Sequence, residues 1–274
     1  MSDFEGKVAL ITGAADGIGF ALASALGRAG ARVFMSDIAA DKLEERAAEI
    51  GAANAPCDVS DADAVAELVD RAWTEVGPID LLCANAGVMV SGSILEARQE
   101  DIDFIFGVNI WGIVNACRPF VRKLRETGRG GAMLLTGSEH SLSNPQYLRT
   151  VPMHLYNLTK HAVLSIGDSL RAELASDGVQ VSVLCPGPVV SGLATNSSEF
   201  RPARFGQAVE AGPPDLLGVD TDRLAELYIP ADRAAEIALK GIREGVFAIP
   251  THAFEKDDVD ARHRELLAGF DLLA

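Results

Sequence analysis

The chain has 274 residues, of which 48% are hydrophobic and 23% charged, a composition typical of soluble globular proteins that excludes wholesale disorder. Its 24 Lys and Arg residues are outnumbered by 39 Asp and Glu residues, giving a formal net charge of −15. A field of that sign repels phosphate backbones and anionic lipids, so we expect neither nucleic-acid nor membrane binding. No apolar stretch of the sequence reaches the roughly 18 residues that a membrane span needs. The composition favours a small ligand that is either uncharged or attracted by charged groups near its own site.

Short apolar runs alternate with longer helical patterns along most of the chain. Apolar residues at successive positions predict strands buried on both faces, at Lys7–Thr12, Arg32–Asp37, Asn54–Cys57, Ile79–Ala84, Ala132–Thr136 and Val179–Cys185. Helices are predicted between them, around residues 17–29, 41–51, 61–77, 99–126 and 154–176. This order predicts an α/β fold of the Rossmann type, a doubly wound parallel sheet, and no linker divides residues 1–274 into more than a single domain.

The regular alternation ends after Cys185. Residues 187–229 are rich in Gly, Pro and polar residues, and a loop of that length within a compact domain is typical of a functional lid or of disorder. A helix is predicted at Pro230–Glu244, a short strand at Val246–Ile249, and a final amphipathic helix from Glu255 to Ala274. We therefore expect an enlarged substrate loop near the C-terminus, with residues 187–229 as a substrate lid.

The four cysteines form no CxxC pair, and three of them lie in apolar, strand-like runs where a free thiol behaves as a small hydrophobic group. They are Cys57, Cys83, Cys117 and Cys185. The N-terminus lacks a signal-peptide pattern, so we expect no disulfides and a cytoplasmic location. His140 and His154 have no carboxylate or thiol at ligand spacing, and we expect no metal site.

A glycine-rich turn, Thr12-Gly13-Ala14-Ala15-Asp16-Gly17-Ile18-Gly19, follows the first predicted strand. Small residues let the backbone approach a pyrophosphate, and the next helix offers free N–H groups and positive dipole potential. Such a turn can also serve packing alone, but this one lies where a dinucleotide fingerprint requires it. We expect cofactor contacts from Gly13, Asp16, Gly17, Ile18 and Gly19, and a mainly dinucleotide-binding role for residues 1–90.

Asp37 closes the second predicted strand, about 20 residues after the glycine turn. A carboxylate there can accept hydrogen bonds from the adenosine ribose and repels a 2′-phosphate. Asp16 adds a second acid near that position, and neither Ile38 nor Ala39 supplies a cation. The sequence therefore predicts NAD and not NADP as the cofactor.

Further motifs follow in chain order after successive predicted strands. They are Asp58-Val59, Asn85-Ala86-Gly87, Asn109 in the next helix, Tyr156-x-x-x-Lys160 in the fifth helix, and Pro186-Gly187. Tyr and Lys four residues apart are commonly only a surface pair, but this whole series in register is hard to ascribe to chance. It resembles the short-chain dehydrogenase/reductase family, of the NAD-preferring alcohol dehydrogenase type, across essentially the whole chain.

The resemblance implies roles for the motif residues. Asp58 and Val59 would contact adenine, Asn85, Ala86 and Gly87 would contact the cofactor, and Asn109 would help hold Lys160 and a water in a proton relay. Lys160 would grip the nicotinamide ribose, and Tyr156 would act as general acid/base. Positions i and i+4 share one helix face, so both side chains can reach one site. A nearby ammonium favours the phenolate, so we expect Lys160 to lower the pKa of Tyr156.

The catalytic serine has two candidates. In the family it ends the fifth strand, about a dozen residues before the tyrosine, and alignment on the strand end selects Ser138. Ser141 is nearer to Tyr156 in sequence and remains the alternative. A serine at this position can hydrogen-bond the substrate oxygen as charge develops.

The motif after the sixth strand is Pro186-Gly187-Pro188-Val189-Val190-Ser191. By the same resemblance, Pro186 and Gly187 belong to the cofactor site and the backbone around Val189 meets the cofactor carboxamide. Ser191 stands where relatives usually have Thr and retains the hydroxyl that bonds that amide.

Ligands bind beyond the carboxyl ends of the strands, so Val88–Ser93, Glu139–Met153 and Ser191–Leu217 are candidate substrate segments. Their side chains include Met89, His140, Leu142, Tyr147, Met153, Phe200 and Phe205, with Arg201, Arg204 and Glu139 as polar candidates. This mixture favours a hydrophobic or aromatic secondary alcohol and its ketone. One subgroup of the family, which acts on aryl alcohols, has a lid with an Arg-Pro sequence like Phe200-Arg201-Pro202.

Other functions remain open. An NADPH-dependent carbonyl or 3-oxoacyl reductase is the main alternative, and Asp37 opposes it. A lyase on this fold would typically lose the glycine turn, and a non-catalytic dinucleotide-binding scaffold does not need Tyr156 and Lys160. Relatives assemble through the helices around residues 99–126 and 154–176, so we expect a homotetramer or homodimer.

Overall fold

Seven parallel strands form one sheet in the computed structural model, which describes residues 4–208 and 221–273. They are β1 (Val8–Thr12), β2 (Arg32–Asp37), β3 (Ala53–Pro56), β4 (Leu81–Ala84), β5 (Gly131–Thr136), β6 (Val179–Cys185) and β7 (Ala248–Pro250). Their order is β3-β2-β1-β4-β5-β6-β7, and all neighbours run parallel. The strand order reverses between β1 and β4, which opens a crevice at the carboxyl edge. The predicted single Rossmann-type domain is confirmed.

Helices cover both faces of the sheet. They are α1 (Gly17–Arg28), α2 (Ala40–Ile50), α3 (Ala62–Glu75), α4 (Gln99–Phe106), α5 (Gly112–Thr127), α6 (His154–Glu173), α7 (Leu193–Glu199), α8 (Thr221–Leu227), α9 (Ala231–Arg243) and α10 (Glu255–Ala268). Helices α1, α2 and α9 bury their apolar residues against one face, and α3 to α6 against the other.

Strand β1 shows why the predicted strands are apolar at successive positions. Val8 and Leu10 belong to one hydrophobic core, and Ala9 and Ile11 belong to the other. Each is at most 1% exposed. Side chains alternate between the two faces of a strand, so a strand covered by helices on both sides needs apolar residues throughout.

The helix predicted over 99–126 continues from α4 through a π-helical turn (Gly107–Trp111) into α5. This run, Gln99–Thr127, is long and apolar enough by length and composition to cross a membrane, so the statement that no stretch reaches that length is wrong. However, 61% of its most apolar window is buried in the fold, in the core shared with α3 and the sheet. That burial is what a core helix shows.

The C-terminal part of the chain differs most from its prediction. The predicted lid contains helices α7 and α8, and residues 209–220, which include part of the Ser191–Leu217 segment, lie outside the described residues. Helix α10 ends at Ala268 and buries only Glu255. It therefore lacks the apolar face that the amphipathic prediction required.

Candidate active site

An open cleft lies at the carboxyl edge of the sheet. It collects most of the predicted site residues: Gly13, Asp16, Gly17, Ile18, Asp37, Asp58, Val59, Asn85, Ala86, Gly87, Tyr156, Lys160, Pro186 and Ser191. Five predicted residues lie outside this lining: Gly19, Asn109, Ser138, Gly187 and Val189. One cleft thus joins residues that the sequence spreads over most of the chain.

The glycine turn is shaped by close backbone packing. Gly13 has φ +64°, and a Cβ there would lie 2.7 Å from the Cα of Ala86. A Cβ on Gly19 would lie 1.9 Å from the Gly13 carbonyl oxygen. Gly17, at φ +48°, packs against Ser191, whose Cβ lies 2.8 Å from the position of an added Cβ. Only glycine fits at these positions, which leaves backbone at the floor of the cleft.

Asp16 joins the glycine turn to two other elements. Its Oδ1 accepts from the Gly17 N–H at 2.8 Å and so caps α1. Its Oδ2 accepts from Asn196 Nδ2 in α7 at 2.9 Å and lies 2.9 Å from Lys42 Nζ in α2. Lys42 also lines the cleft. Lys42 lies in the first turn of α2, beyond Ile38 and Ala39, and was not recognised from the sequence.

The Asp37 carboxylate is held by two backbone groups. Oδ2 accepts from the Ala15 N–H and Oδ1 from the Ala39 N–H, both at 3.0 Å. A carboxylate has about four acceptor positions, so Asp37 retains capacity for a hydroxyl donor in the cleft.

Asp58 accepts a hydrogen bond from the segment between α7 and α8. Its Oδ1 accepts from the Ser60 N–H at 2.9 Å, and its Oδ2 accepts from Arg204 Nη2 at 2.6 Å. Arg201 nearby is 5% exposed and pairs with Asp101 at 2.6 Å. Arg201 and Arg204 do not line the cleft, and both guanidinium groups pair with acids, so their role as substrate contacts stays a prediction. We call Asp16, Asp37 and Asp58 the acidic end of the cleft.

Asn85 ties together the ends of three strands. Its Nδ2 donates to the carbonyls of Thr12 at 3.2 Å and Gly13 at 3.1 Å. Its Oδ1 accepts from Thr136 Oγ1 at 3.0 Å, while Thr12 Oγ1 accepts from the N–H groups of Asn85 and Ala86. The two threonines end β1 and β5, and the sequence reasoning did not single them out. The Asn85 side chain therefore sets the spacing of the strand ends that form the cleft floor.

Asn109 lies in the π-helical turn and is fully buried. Its Oδ1 accepts from the Val88 N–H at 2.8 Å, and its Nδ2 donates to the Val88 carbonyl at 2.9 Å and to Thr159 Oγ1 at 3.1 Å. A Cβ on Gly87 would lie 3.4 Å from both Asn109 Oδ1 and Lys160 Nζ. Asn109 thus holds the segment after β4 beside Lys160.

Tyr156 and Lys160 lie one helical turn apart on α6, and both are buried. Lys160 Nζ donates to the Thr136 carbonyl at 2.9 Å and lies 5.5 Å from the Tyr156 ring centroid. Burial raises the pKa of Tyr156 to about 12, against a lowering hydrogen bond with Ser138. Burial also lowers the pKa of Lys160 to about 8. The expectation that Lys160 lowers the tyrosine pKa is wrong for this structure, because desolvation dominates. Ser138, Tyr156 and Lys160 form the tyrosine end.

The geometry separates the two candidate serines. Ser138 shares a hydrogen bond with Tyr156, and its Oγ lies 3.5 Å from the Pro186 carbonyl oxygen. Ser141 Oγ donates to the Lys160 carbonyl at 2.6 Å and accepts from the Ser138 N–H at 3.1 Å. Ser138 thus faces the phenol, whereas Ser141 bonds to backbone behind it.

The segment that follows β6 packs closely against residues near the beginning of α10 and against the residues that follow α8. A Cβ on Gly187 would lie 2.7 Å from His252 Nδ1 and 2.9 Å from Glu255 Oε1, so only glycine fits. Val189 forms a bridge with Ile229, which follows α8. These contacts connect the Pro-Gly segment to the beginning of α10 and to the residues that follow α8.

A buried acid pair next to the tyrosine end was not recognised in the sequence. Glu139 is 5% exposed and accepts from Tyr147 Oη at 2.5 Å, and Glu255 is 3% exposed, with neither carboxyl oxygen hydrogen-bonded among the described residues and Oε1 3.8 Å from His252 Nδ1. Burial, and less strongly Asp258, raises the pKa of Glu139 to about 7 against the Tyr147 hydrogen bond. Burial and the Glu139 charge raise the pKa of Glu255 to about 9. Glu255 therefore keeps its proton at neutral pH.

Apolar side chains surround Tyr156. Ile105 and Leu155 are buried beside it, and partly buried residues pack on this cluster: Val88, Met89, Val90, Ala97, Ile102, Phe106, Met153 and Leu193. The His140 ring meets the Tyr156 ring edge-on at 5.5 Å, and burial lowers the pKa of His140 to about 4. Met89 and Met153, two of the residues predicted to line the substrate pocket, thus pack on the cluster around Tyr156, and the imidazole beside the phenol is neutral.

The fold and the cleft define the class of protein. A parallel sheet with a glycine turn that leads into a helix at the switch point is typical of Rossmann-type dinucleotide-binding enzymes. A family model described as short chain dehydrogenase matches residues 7–202. The chain belongs to the short chain dehydrogenase family.

Known proteins are similar in sequence or structure to most of the chain. The 1-deoxy-11-beta-hydroxypentalenate dehydrogenase of Streptomyces exfoliatus is 36% identical over 247 residues, covering 85% of this chain and 86% of that protein. The C alpha-dehydrogenase of Sphingobium sp. is 32% identical over 212 residues, covering 75% and 68%. A solved short chain dehydrogenase/reductase from Burkholderia phymatum, in complex with NAD, has a TM-score of 0.86 at 30% identity, covering 98% of this chain and 97% of that chain. The protein is an oxidoreductase that acts on CH–OH groups with a nicotinamide dinucleotide.

Proposed function

We propose that the protein is an NAD-dependent oxidoreductase that interconverts a hydrophobic or aromatic secondary alcohol and its ketone. The observation that carries this proposal is that one cleft joins Asp37, which retains acceptor capacity, to Tyr156 in an apolar surround. A carboxylate at the end of β2 suits an unphosphorylated ribose. An apolar surround suits a substrate whose hydroxyl is its main polar group.

Tyr156 is the group to which we assign proton transfer. It accepts the alcohol proton in oxidation and returns it in reduction, while the nicotinamide takes or gives the hydride. Ser138 hydrogen-bonds the substrate oxygen, Lys160 holds the nicotinamide ribose, and Asn109 positions the segment after β4. Because burial raises the pKa of Tyr156 to about 12, the phenol is protonated at neutral pH. Oxidation, which needs the base form, should therefore accelerate as the pH rises.

The residues present fit a dinucleotide. The glycine turn leaves backbone at the cleft floor, and α1 begins at that turn with its N–H groups. We assign cofactor binding to Gly13, Asp16, Gly17, Ile18, Gly19, Asp37, Asp58, Val59, Asn85, Ala86, Gly87, Tyr156, Lys160, Pro186, Gly187, Val189 and Ser191. The NAD bound by the Burkholderia phymatum protein supports NAD as the cofactor.

The charges of the cleft support an uncharged substrate. Of the described residues, Lys42 and Lys160 are the Lys or Arg side chains that line it, and Lys42 lies at the acidic end. Lys160 is the cation assigned to the nicotinamide ribose. The name of the Streptomyces relative specifies a hydroxyl-bearing substrate, which supports an alcohol.

The proposal is tested first by fluorescence titration with NADH and NADPH, using the wild-type protein and Asp37→Ala. We expect tighter NADH binding in the wild type and about tenfold weaker NADH binding in the variant, the value of one lost charged hydrogen bond. Wild-type preference for NADPH would move the carbonyl or 3-oxoacyl reductase to first place. Binding of neither nucleotide would favour a lyase or a scaffold.

Residues 187–229 are the segment that we assign as the substrate lid. Asn196 and Arg204 attach it to Asp16 and Asp58, and Pro202 lines the cleft. A lid joined to the acidic end would close over cofactor and substrate together.

We also propose a homotetramer built on α4 to α6. Trp111, which ends the π-helical turn between α4 and α5, is 57% exposed, and Leu158 on α6 is 39% exposed. Exposed large apolar side chains on two adjacent helices are typical of a covered interface. Analytical ultracentrifugation should show an assembly, and a species of monomer mass alone would contradict it.

The thiols support a cytoplasmic location. The four cysteines are free and buried, and burial raises the pKa of each thiol to about 12. Unreactive, unpaired thiols suit a reducing compartment.

A further inference from the structure

A cation lies at the acidic end of the cleft, beside the position assigned to the ribose. Lys42 is in the first turn of α2, which begins three residues after Asp37 ends β2. Its Nζ lies 2.9 Å from Asp16 Oδ2, and both side chains are 33% exposed. Lys42, Asp16 and Asp37 all line the cleft. Lys42 is thus a cation that lines the same end of the cleft as Asp37, the carboxylate that we assign to the ribose.

Asp16 is built to remain charged. Partial burial raises its pKa, but the hydrogen bonds from Lys42, Asn196 and the Gly17 N–H together outweigh burial and bring the pKa below its ordinary value. At neutral pH the pair therefore consists of a carboxylate and an ammonium. The positive charge of Lys42 is compensated locally, and the charge of Asp37 is left to dominate this end of the cleft.

This arrangement has a consequence for the choice of cofactor. A 2′-phosphate would meet the charges of Asp16 and Asp37, while the Lys42 ammonium is already paired with Asp16. Without the charge of Asp16, the same ammonium would be free to donate to a phosphate oxygen. We propose that Lys42 is a latent 2′-phosphate-binding residue that Asp16 neutralises, so that the Asp16–Lys42 pair, together with Asp37, decides between NAD and NADP. This inference rests on the proposed NAD-dependent function.

Asp16→Asn is the most informative variant. Asn is as good a helix N-cap as Asp, and its side-chain oxygen can still accept from the Gly17 N–H. The variant therefore removes the charge and leaves the cap of α1 in place. Asp16→Ser, which keeps a capping hydroxyl, replaces it if Asp16→Asn does not fold. Asp41→Asn is the matched control, because Asp41 is an exposed acid on α2 next to Lys42 and outside the cleft lining.

The experiment titrates each protein with NADPH and with NADH at fixed low salt and follows cofactor fluorescence. We expect Asp16→Asn to bind NADPH about tenfold more tightly than the wild type, with a much smaller change for NADH. The double variant Asp16→Asn/Lys42→Gln should lose that gain, and Asp41→Asn should bind both cofactors as the wild type does. The gain should shrink as salt is added, because both residues are partly exposed.

Three results would overturn the inference. Unchanged NADPH affinity in Asp16→Asn would mean that Lys42 does not reach the phosphate. A gain that persists in the double variant would mean that only the lost negative charge matters, and an equal gain in Asp41→Asn would mean a general field effect. Failure of the proposed function looks different, because the wild type itself would then prefer NADPH. If that preference also depended on Lys42, the ammonium would not be neutralised by Asp16, and the inference would fall as well.

Discussion

The acidic end and the tyrosine end of the cleft differ in what surrounds their ionisable groups. At the acidic end, Asp16, Asp37 and Asp58 each accept hydrogen bonds from N–H groups, a lysine or an arginine. At the tyrosine end, burial governs: it raises the pKa of Tyr156 and lowers that of Lys160. Carboxylates that accept hydrogen bonds from nearby donors stay charged and can select a ligand by its charge. Buried groups with shifted pKa values make the rate of the reaction depend on pH.

The largest expected difference between the two ends of the cleft is the effect of substituting Tyr156. Tyr156→Phe removes the proton-transfer group and leaves the ring packing, so we expect kcat to fall about 10³-fold, within the range of general acid–base catalysis. The acidic end is untouched, so NADH should bind with nearly wild-type affinity. Steady-state kinetics and fluorescence titration check the two halves separately. Joint loss of turnover and NADH binding would contradict this role for the tyrosine.

A smaller effect should distinguish the two serines. Ser138→Ala removes the hydroxyl that faces Tyr156, and we expect kcat to fall about 10²-fold, as for the loss of one donor to a developing oxyanion. Removing that hydrogen bond should also raise the pKa of Tyr156 and move the rise of the oxidation rate to higher pH.

Ser141→Ala is the comparison for Ser138→Ala. It removes a bond to the Lys160 carbonyl and a backbone contact behind the site, so thermal stability should fall while the pH profile keeps its position. If Ser141→Ala shifted the profile and Ser138→Ala did not, the assignment of the serine would have to be reversed.

The smallest effect concerns the buried acid pair behind the tyrosine end. The folded-state pKa of Glu255, about 9, lies above its ordinary value of 4.5, so the folded protein retains a proton that the unfolded chain releases. Stability that is present below pH 4.5 is therefore lost progressively as the pH rises toward 9. We expect Tm to fall by roughly 10 °C between pH 5 and 9. Glu139, with a pKa of about 7, contributes to the lower part of that decline.

Glu255→Gln should flatten the decline, because the amide has no proton to lose. Glu265→Gln, at an exposed position of the same helix, should reproduce the wild-type pH dependence. Thermal melts monitored by circular dichroism from pH 5 to 9 make the measurement. An unchanged slope in Glu255→Gln would mean that the carboxyl is ionised in the folded protein.

The sheet, the glycine turn and the positions of most cleft residues were predictable from local sequence patterns. A doubly covered strand such as β1 must be apolar at successive positions, and a turn as close as Gly13 to Gly19 excludes side chains, so both leave local signals. The carboxyl ends of parallel strands share one edge, which brings Asp37, Asn85 and Ser138 to the same side without further information.

Which side chains meet depends on how the elements pack against one another. Lys42 pairs with Asp16, Arg204 pairs with Asp58, and Glu255 lies against Gly187, and in each case the two residues belong to different elements. The direction of the Tyr156 pKa also depends on burial by neighbours that no local pattern identifies. Local sequence sets backbone conformation and periodicity, but the pairing and desolvation of polar groups are set by how the elements pack.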